Sequence, residues 1–180
     1  MARITLTRLT EDDRENFILD NQRAFKYGAL EEFGRRDDHF EEGEEIISRK
    51  TIEESIDGGT AYRICLDGAK IGGLVLKIDE KARRGELELL FVSPDAHGKG
   101  IGSAAWREVE RLYPDVDVWE TCTPYFETRN IHFYINKLGF CAVEFFCRAH
   151  PDPHDPETGE KNRYDGNGPD GMFRFEKRIR

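Results

Sequence analysis

The stretch Glu86-Leu-Glu-Leu-Leu-Phe-Val92-Ser-Pro-Asp-Ala-His97-Gly-Lys-Gly-Ile-Gly-Ser103 decides how the rest of the chain is understood. Its first part, up to Val92, has the apolar content of a buried strand. After Ser103, apolar residues at positions 105, 106, 109, 112 and 113 have the spacing of an amphipathic helix. The stretch therefore predicts a strand, a short turn that contains Pro94, a glycine-rich segment and the N-terminus of a helix.

The three glycines of this segment, Gly98, Gly100 and Gly102, stand at alternate positions. Glycine allows a backbone in which successive N–H groups point toward one spot, and the helix dipole adds positive potential there. The segment thus predicts a cradle for an anion such as a phosphate or pyrophosphate. A P-loop is excluded because Gly-Lys is not followed by Ser or Thr, and the third glycine has the wrong spacing for a dinucleotide fingerprint.

Composition limits the class of protein. With 180 residues the chain is long enough for one domain, and 27 Lys and Arg against 36 Asp and Glu give a net charge of −9. This balance argues against nucleic acid as a partner and is compatible with a cationic substrate. We expect a cytoplasmic protein that does not enter a membrane, because the N-terminus lacks a signal-peptide core and no run is long enough to span a bilayer. The four cysteines lack C-x-x-C spacing, and we expect those in strand-like runs to be buried and free.

Periodicity along the chain predicts one mixed α/β domain over residues 1–180. Helices are expected from Thr10 to Leu30 and over 44–56, 98–113 and 128–138, the last closed by Gly139. A hairpin with an Asp67-Gly68 turn is expected within the strands. The predicted strands are 3–9, 60–66, 71–78, 86–92, 116–122, 140–147 and 172–179, and a long loop lies at about 150–171.

Two motifs in this order give the chain a resemblance to a known family. The first is His97-Gly-Lys-Gly-Ile-Gly102 after a strand, and the second is Asn130 ahead of Phe133-Tyr134 and Gly139-Phe140. Together they resemble the GNAT superfamily of acyl-CoA-dependent N-acetyltransferases. The resemblance implies a central mixed, mostly antiparallel, twisted sheet of about seven strands flanked by about four helices. It also implies acetyl-CoA as cosubstrate, an amine acceptor and a possible homodimer.

By the same resemblance, residues of both motifs and of the strand before the first would bind the cofactor. The backbone from Gly98 to Ser103 would hold the CoA pyrophosphate, and an N–H at the end of the strand would polarise the thioester carbonyl. The expected cofactor-binding residues are Leu90, Phe91, Val92, His97, Gly98, Lys99, Gly100, Ile101, Gly102, Ser103, Asn130, Phe133, Tyr134 and Lys137. His97 departs from the Gln or Arg that is usual in the family at this position.

Three residues are expected to be catalytic. Because the acceptor amine must lose a proton, Glu86 or Glu88 is the expected general base, and strand alternation would place both on the side of Leu90 and Val92. Tyr134 is the expected acid toward the leaving thiolate, by resemblance. An ion pair with the neighbouring arginines would explain the glutamates equally, and an ordinary buried tyrosine would explain Tyr134.

The sequence therefore predicts transfer of an acetyl group from acetyl-CoA to a primary amine of a small molecule, a protein or a peptide. The alternative is a non-catalytic acyl-CoA-binding sensor or interaction module on the same fold. No metal site is expected, because the cluster at 150–155 (HPDPHD) has no fixed ligand spacing and a surface loop explains it as well.

Overall fold

A computed structural model describes residues 3–30, 43–153 and 171–179 of the chain. The chain divides into two compact units, Met1–Val116 and Asp117–Arg180, which are described in turn. Their described residues form seven strands, four in the first unit and three in the second. The single domain expected over 1–180 stays a prediction.

The strands of the first unit follow one another in an antiparallel sheet, with each strand paired to the next. The predicted hairpin is confirmed: Asp67 and Gly68 have φ of +50° and +88°, as a two-residue turn between twisted strands requires. The strands are β1 Ile4–Arg8, β2 Thr60–Leu66, β3 Ala69–Asp79 and β4 Arg84–Val92.

The helices of this unit are α1 Arg14–Leu30, which follows a 3₁₀ turn at Glu11–Asp13, α2 Arg49–Gly58 and α3 Ile101–Leu112. The helix predicted over 44–56 is wrong at its start. It begins at Arg49 because Ser48 is its N-cap, with Oγ accepting the Thr51 N–H at 3.0 Å. Residues 44–48 are turn and bend with one isolated bridge residue.

Helices α1 and α2 pack on one face of the sheet. Phe17 and Ile18 of α1 and Ile52 of α2 are fully buried there against Val75, Leu89 and Phe91. Gly73 makes this packing possible, since a Cβ at that position would lie 2.3 Å from the Phe17 ring. The Phe17 and Phe91 rings then meet edge to face, with centroids 5.1 Å apart.

A buried ionic cluster ties α1 to the same face. Arg63 of β2 is 2% exposed and donates to both carboxylate oxygens of Asp13, at 2.8 and 3.2 Å, and to Asp20 at 2.8 Å. Lys70 Nζ lies 2.8 Å from Asp13. Burial raises the pKa of Asp13, but the hydrogen bonds from Arg63 and Lys70 outweigh it, and the pKa is lowered to about 2.

A β-bulge interrupts strand β4 at Glu88. Val75 of β3 lies opposite Leu89, but the next residue, Leu76, lies opposite Leu87, so Glu88 is the extra residue. Simple alternation, which placed Glu86 and Glu88 on the side of Leu90 and Val92, is therefore wrong. The bulge shifts the alternation, and Glu88 instead lies on the α2 face, where it meets Ser55.

The second unit holds a three-stranded antiparallel sheet in the order β5–β7–β6. Its strands are β5 Val118–Pro124, β6 Cys141–Phe146 and β7 Met172–Arg178. A short helix, α4 Thr128–His132, continues into a π-helix, Phe133–Leu138, and Gly139 ends it with φ of +79°, as its place in the sequence predicted. Fully buried Trp119 and Phe175 anchor the core of this unit.

None of the four cysteines forms a disulfide, but the expectation that those in strands are buried is only partly right. Cys65 of β2 is buried, whereas Cys122 and Cys141 are exposed because they lie on solvent-facing positions of the β5–β7–β6 sheet. None of the helices in the described ranges combines the length and apolar character that crossing a bilayer requires.

Candidate functional site

The glycine segment forms the predicted turn between strand β4 and helix α3. A 3₁₀ turn at Pro94–Ala96 follows the strand, and Gly98 and Gly100 have φ of +74° and +71°. The first bond of the helix runs from the Ala104 N–H to the Gly100 carbonyl, at 3.0 Å. In the part of the chain that the structure describes, no atom lies within 4 Å of a Cβ built at either positive-φ glycine, so no described residue fills the space next to them.

The N–H groups of Ile101, Gly102 and Ser103 precede the first helical bond, so they have no acceptor within α3. They lie at the positive pole of a helix that runs to Leu112, next to three exposed residues, Gly98 to Gly100. Backbone donors and helix dipole together suit a phosphate-like anion. This local conformation is compatible with the cradle predicted from the glycines, which stays a prediction.

Two predicted side chains hold the turn itself. His97 Nε2 lies 2.7 Å from the Val92 carbonyl oxygen, which closes the turn back on the end of the strand. Lys99 Nζ donates to the Asp95 carbonyl at 3.0 Å. The His97 ring also meets Tyr27 of α1 edge to face, with centroids 5.5 Å apart. Nothing in the sequence indicated Tyr27, since its contact depends on the course of α1.

The residues at the end of strand β4 differ in their exposure to solvent. Phe91 is 4% exposed. Its ring packs edge to face on Phe17 and fills the space that a Cβ of residue 73 would need, so only the backbone of Phe91 is available to a ligand. Leu90 and Val92 are half-buried. The expectation that backbone groups of this strand contact the cofactor is compatible with this arrangement.

Glu86 and Glu88 differ in their surroundings, although both lie on the α2 face. Glu88 Oε1 accepts from Lys77 Nζ at 2.8 Å, and its Oε2 accepts from the Ser55 hydroxyl at 3.1 Å. Burial lowers the pKa of Lys77, but the hydrogen bond to Glu88 and the negative charges of Glu88 and Glu86 together outweigh it, and the pKa is raised. Half-buried Glu86 lies directly opposite Lys77 in the β3–β4 register and adds to that effect through its charge.

Tyr134 belongs to the second unit and is 8% exposed, at the second position of the π-helix. Burial raises the pKa of its phenol, and a hydrogen bond with the Thr121 side chain opposes that rise. The ring packs near Phe140 and Phe175, with centroids 5.9 and 5.7 Å away. Single-turn π-helices are frequent at functional sites. Tyr134 is therefore a neutral phenol in a fixed orientation.

The other predicted cofactor contacts of this unit lie nearby on the same helical segment. Asn130 Nδ2 lies 3.5 Å from Thr123 Oγ1, which is a long contact. Phe133 is half-buried and packs beside Tyr134, and Lys137 is exposed. The segment 128–138 thus presents an amide, an aromatic ring and an ammonium.

The cluster at 150–155 lies only partly within the described residues. His150 Nε2 is 2.9 Å from Glu144 Oε1, and His154 and Asp155 fall outside the described ranges. Within residues 3–30, 43–153 and 171–179, His, Cys, Asp and Glu side chains form no group suited to hold a metal ion.

Comparison with known proteins decides the family. The model of the acetyltransferase (GNAT) family matches residues 18–140, which include the strand, the glycine turn and the Tyr134 segment. The chain belongs to the acetyltransferase (GNAT) family. The expectation that it is an acyltransferase of this family is confirmed.

One relative of similar length matches nearly the whole chain. "Uncharacterized protein YrkN" of Bacillus subtilis (strain 168) is 38% identical over 177 residues, which cover 97% of this chain and 93% of the relative. Its name gives no substrate. The likeness to this relative therefore covers nearly the whole chain and does not identify the acceptor.

Solved structures confirm the expected fold class. The ribosomal-protein-S18-alanine N-acetyltransferase of Escherichia coli matches with a TM-score of 0.65 and 14% identity, over 98% of this chain and 94% of its own. The PaiA N-acetyltransferase of Thermoplasma acidophilum, solved in complex with coenzyme A, matches with a TM-score of 0.61 and 19% identity, over 98% and 99%. At these identities the likeness shows the GNAT fold. The cytoplasmic location and the homodimer stay predictions.

Proposed function

We propose that the protein transfers the acetyl group of acetyl-CoA to a primary amine of a small molecule, a protein or a peptide. The observation that carries this proposal is the turn after β4, where two positive-φ glycines and the N-terminus of α3 form an anion cradle in a chain of the acetyltransferase family. Coenzyme A bound to the Thermoplasma acidophilum protein of this fold supports the choice of donor.

In this proposal the cradle binds the CoA pyrophosphate through the backbone N–H groups of Ile101, Gly102 and Ser103. Gly98 and Gly100 leave the approach open, since a side chain there would project into free space in front of the turn. Lys99 adds positive charge near the ligand. The pantetheine arm would run along the backbone of Leu90 to Val92, where an N–H polarises the thioester carbonyl as in an oxyanion hole.

The acceptor reaches the site as an ammonium ion with a pKa of about 10.4, so a base must take its proton before attack. We assign this role to Glu86, a half-buried carboxylate on the face that α2 covers. The amine nitrogen then forms a bond to the carbonyl carbon, and the carbon–sulfur bond breaks. Glu86 has by then taken one ammonium proton, directly or through one water, and the second amine proton ends on the departing sulfur, which leaves as the CoA thiol.

Tyr134 is proposed to act on the departing sulfur. Because burial raises the pKa of its phenol, Tyr134 keeps its proton at neutral pH and can donate a hydrogen bond to the thiolate. Asn130, Phe133 and Lys137 are proposed to contact the cofactor from the same helical segment. The contacts of Tyr134 with Thr121 and the flanking rings keep the hydroxyl in one orientation.

The proposal is tested by measuring release of free CoA thiol from acetyl-CoA over a panel of amines. The panel contains polyamines, amino sugars, amino acids, and peptides with a free N-terminus or lysine. We expect turnover with at least one amine and an acetylated product of matching mass. Stabilisation of the protein by acetyl-CoA without turnover on any amine would instead favour a non-catalytic acyl-CoA sensor.

A further inference from the structure

Glu88 is held from two directions at the point where the β3–β4 pairing is irregular. Lys77 reaches its Oε1 from the neighbouring strand β3, and Ser55 reaches its Oε2 from helix α2. The Glu88 side chain is 17% exposed, whereas that of Lys77 is 45% exposed, so the ammonium approaches from the solvent side. Ser55 is 7% exposed, so its hydroxyl donates to Glu88 from the buried side.

Glu88, which receives both contacts, is also the extra residue of the bulge. Below the bulge Leu87 pairs with Leu76, and above it Leu89 pairs with Val75 and joins the core under α1 and α2. A shift of one residue turns every side chain of a strand to the other face. The position of the bulge therefore decides whether Leu89 and Phe91 face that core, and which way the backbone from Leu90 to Val92 points.

We infer that the contacts of Lys77 and Ser55 with Glu88 fix the position of the β4 bulge, and that Glu88 is a positioning residue for the acyl-transfer site. This inference rests on the proposed function, because the backbone it positions is the one assigned to the thioester. It also separates the two glutamates: Glu88 acts through the strand, and Glu86 acts on the acceptor.

The arrangement differs from an ordinary surface ion pair. Lys50 and Glu54 on α2 lie 3.7 Å apart with side chains 81% and 68% exposed, and such pairs contribute little to stability. The Lys77–Glu88–Ser55 contacts join two strands and a helix. Their loss frees the bulge to move, and a small displacement of a site can lower its rate about a hundredfold.

The first test compares Glu88→Gln with Glu88→Ala. A glutamine keeps both contacts, since its oxygen accepts from Lys77 and its amide group donates to the Ser55 oxygen. We expect Glu88→Gln to keep kcat within about threefold of the wild type, because only hydrogen-bond strength changes. Glu88→Ala is expected to lower kcat roughly tenfold or more per folded molecule, with little change in the KM for acetyl-CoA.

Lys77→Met tests the same contacts without altering Glu88. A positioning role predicts that Lys77→Met lowers kcat in the same way as Glu88→Ala, whereas a base at position 88 would keep most of its activity. Glu54→Ala is the matched control and is expected to leave kcat unchanged. Hydrogen exchange of the Leu89 to Val92 amides gives a second readout, expected to be roughly tenfold faster in Glu88→Ala and unchanged in Glu88→Gln.

Two results would overturn the inference. One is a loss of a hundredfold or more in kcat for Glu88→Gln with unchanged amide exchange, which would make Glu88 the base, since bases contribute roughly 10²–10⁴-fold. The other is unchanged kcat and exchange in both Glu88→Ala and Lys77→Met. If the wild type turns over no amine, the proposed function fails, and amide exchange still decides whether these contacts fix the bulge.

Discussion

The glycine turn and the strand before it are neighbours in the chain, yet they keep their positions by different means. The turn depends on backbone conformation, with Gly98 and Gly100 at positive φ and open space around them. The strand is held by side chains from other elements, such as Lys77 and Ser55 on Glu88. A backbone-built site tolerates variation in its side chains, whereas the strand depends on particular partners far away in the sequence.

Among the contacts made by side chains, the buried ion pair of Asp13 and Arg63 should be the most sensitive to loss of a charge. We expect Asp13→Asn to lower the free energy of unfolding by about 3–5 kcal/mol, because Arg63 is then buried without its bidentate partner. Chemical denaturation measures this directly. Asp57→Asn is the control: its carboxylate is 67% exposed and lies 2.7 Å from Arg14, so the expected loss is much smaller than that for Asp13→Asn. Equal losses in the two variants would show that burial of the Arg63–Asp13 pair does not increase its contribution to stability.

The glycine turn should bind acetyl-CoA more weakly when a side chain is placed at a positive-φ glycine. We expect Gly100→Val to raise the Kd for acetyl-CoA roughly a hundredfold, because the side chain projects where the pyrophosphate would bind and φ becomes strained by about 1–2 kcal/mol. Gly68→Val, at φ +88° in the β2–β3 hairpin, carries a similar strain with equally open space. Calorimetric titration should show normal acetyl-CoA binding in that control, and equal weakening in both variants would contradict a local cradle.

Acidification should lower the free energy of unfolding through protonation of Asp13. Its folded-state pKa of about 2 lies below the ordinary value of 3.8, so its contribution is complete above that value and is lost as the pH falls toward 2. The loss amounts to about 2 kcal/mol. The free energy of unfolding of the wild type should therefore fall more steeply between pH 4 and pH 2 than that of Asp13→Asn. If the free energy of unfolding fell equally steeply with pH in both proteins, protonation of Asp13 would not be the cause of the fall.

The smallest expected effect concerns Tyr134 in the second unit. Tyr134→Phe keeps the ring packing near Phe140 and Phe175 but removes the hydroxyl, and we expect kcat to fall roughly tenfold, more than KM for acetyl-CoA rises. Steady-state kinetics with the best amine of the panel measures both constants. Tyr125→Phe, at an exposed tyrosine of the same unit, should behave like the wild type. An unchanged kcat in Tyr134→Phe would remove this residue from the mechanism.

The sequence was sufficient for the turn because adjacent residues determine it. Glycine spacing, Pro94 and the apolar period of the following helix are all local signals, and the hairpin at Asp67-Gly68 and the stop at Gly139 are of the same kind. The start of α2 was missed although Ser48 is a good N-cap, since the acidic run before it also suits a helix.

The bulge at Glu88 could not be predicted from local sequence. Alternation assumes two residues per repeat, and one extra residue leaves no mark in a strand whose apolar residues continue on both sides of it. The partners of Glu88 come from β3 and α2, and Asp13, which Arg63 contacts through two nitrogens, lies fifty positions away in the chain. Such contacts follow from tertiary packing, so the roles of Glu86 and Glu88 could be separated only with the structure.

The central claim is that backbone N–H groups of the glycine turn bind the pyrophosphate of CoA. A two-dimensional NMR titration of the isotope-labelled protein tests it most directly, with CoA and pantetheine added in parallel. Pantetheine carries the thiol arm without the pyrophosphate. We expect CoA to shift the amide signals from Lys99 to Ser103 and pantetheine to leave them in place. Unchanged amide signals in this turn at saturating CoA would rule out pyrophosphate binding there.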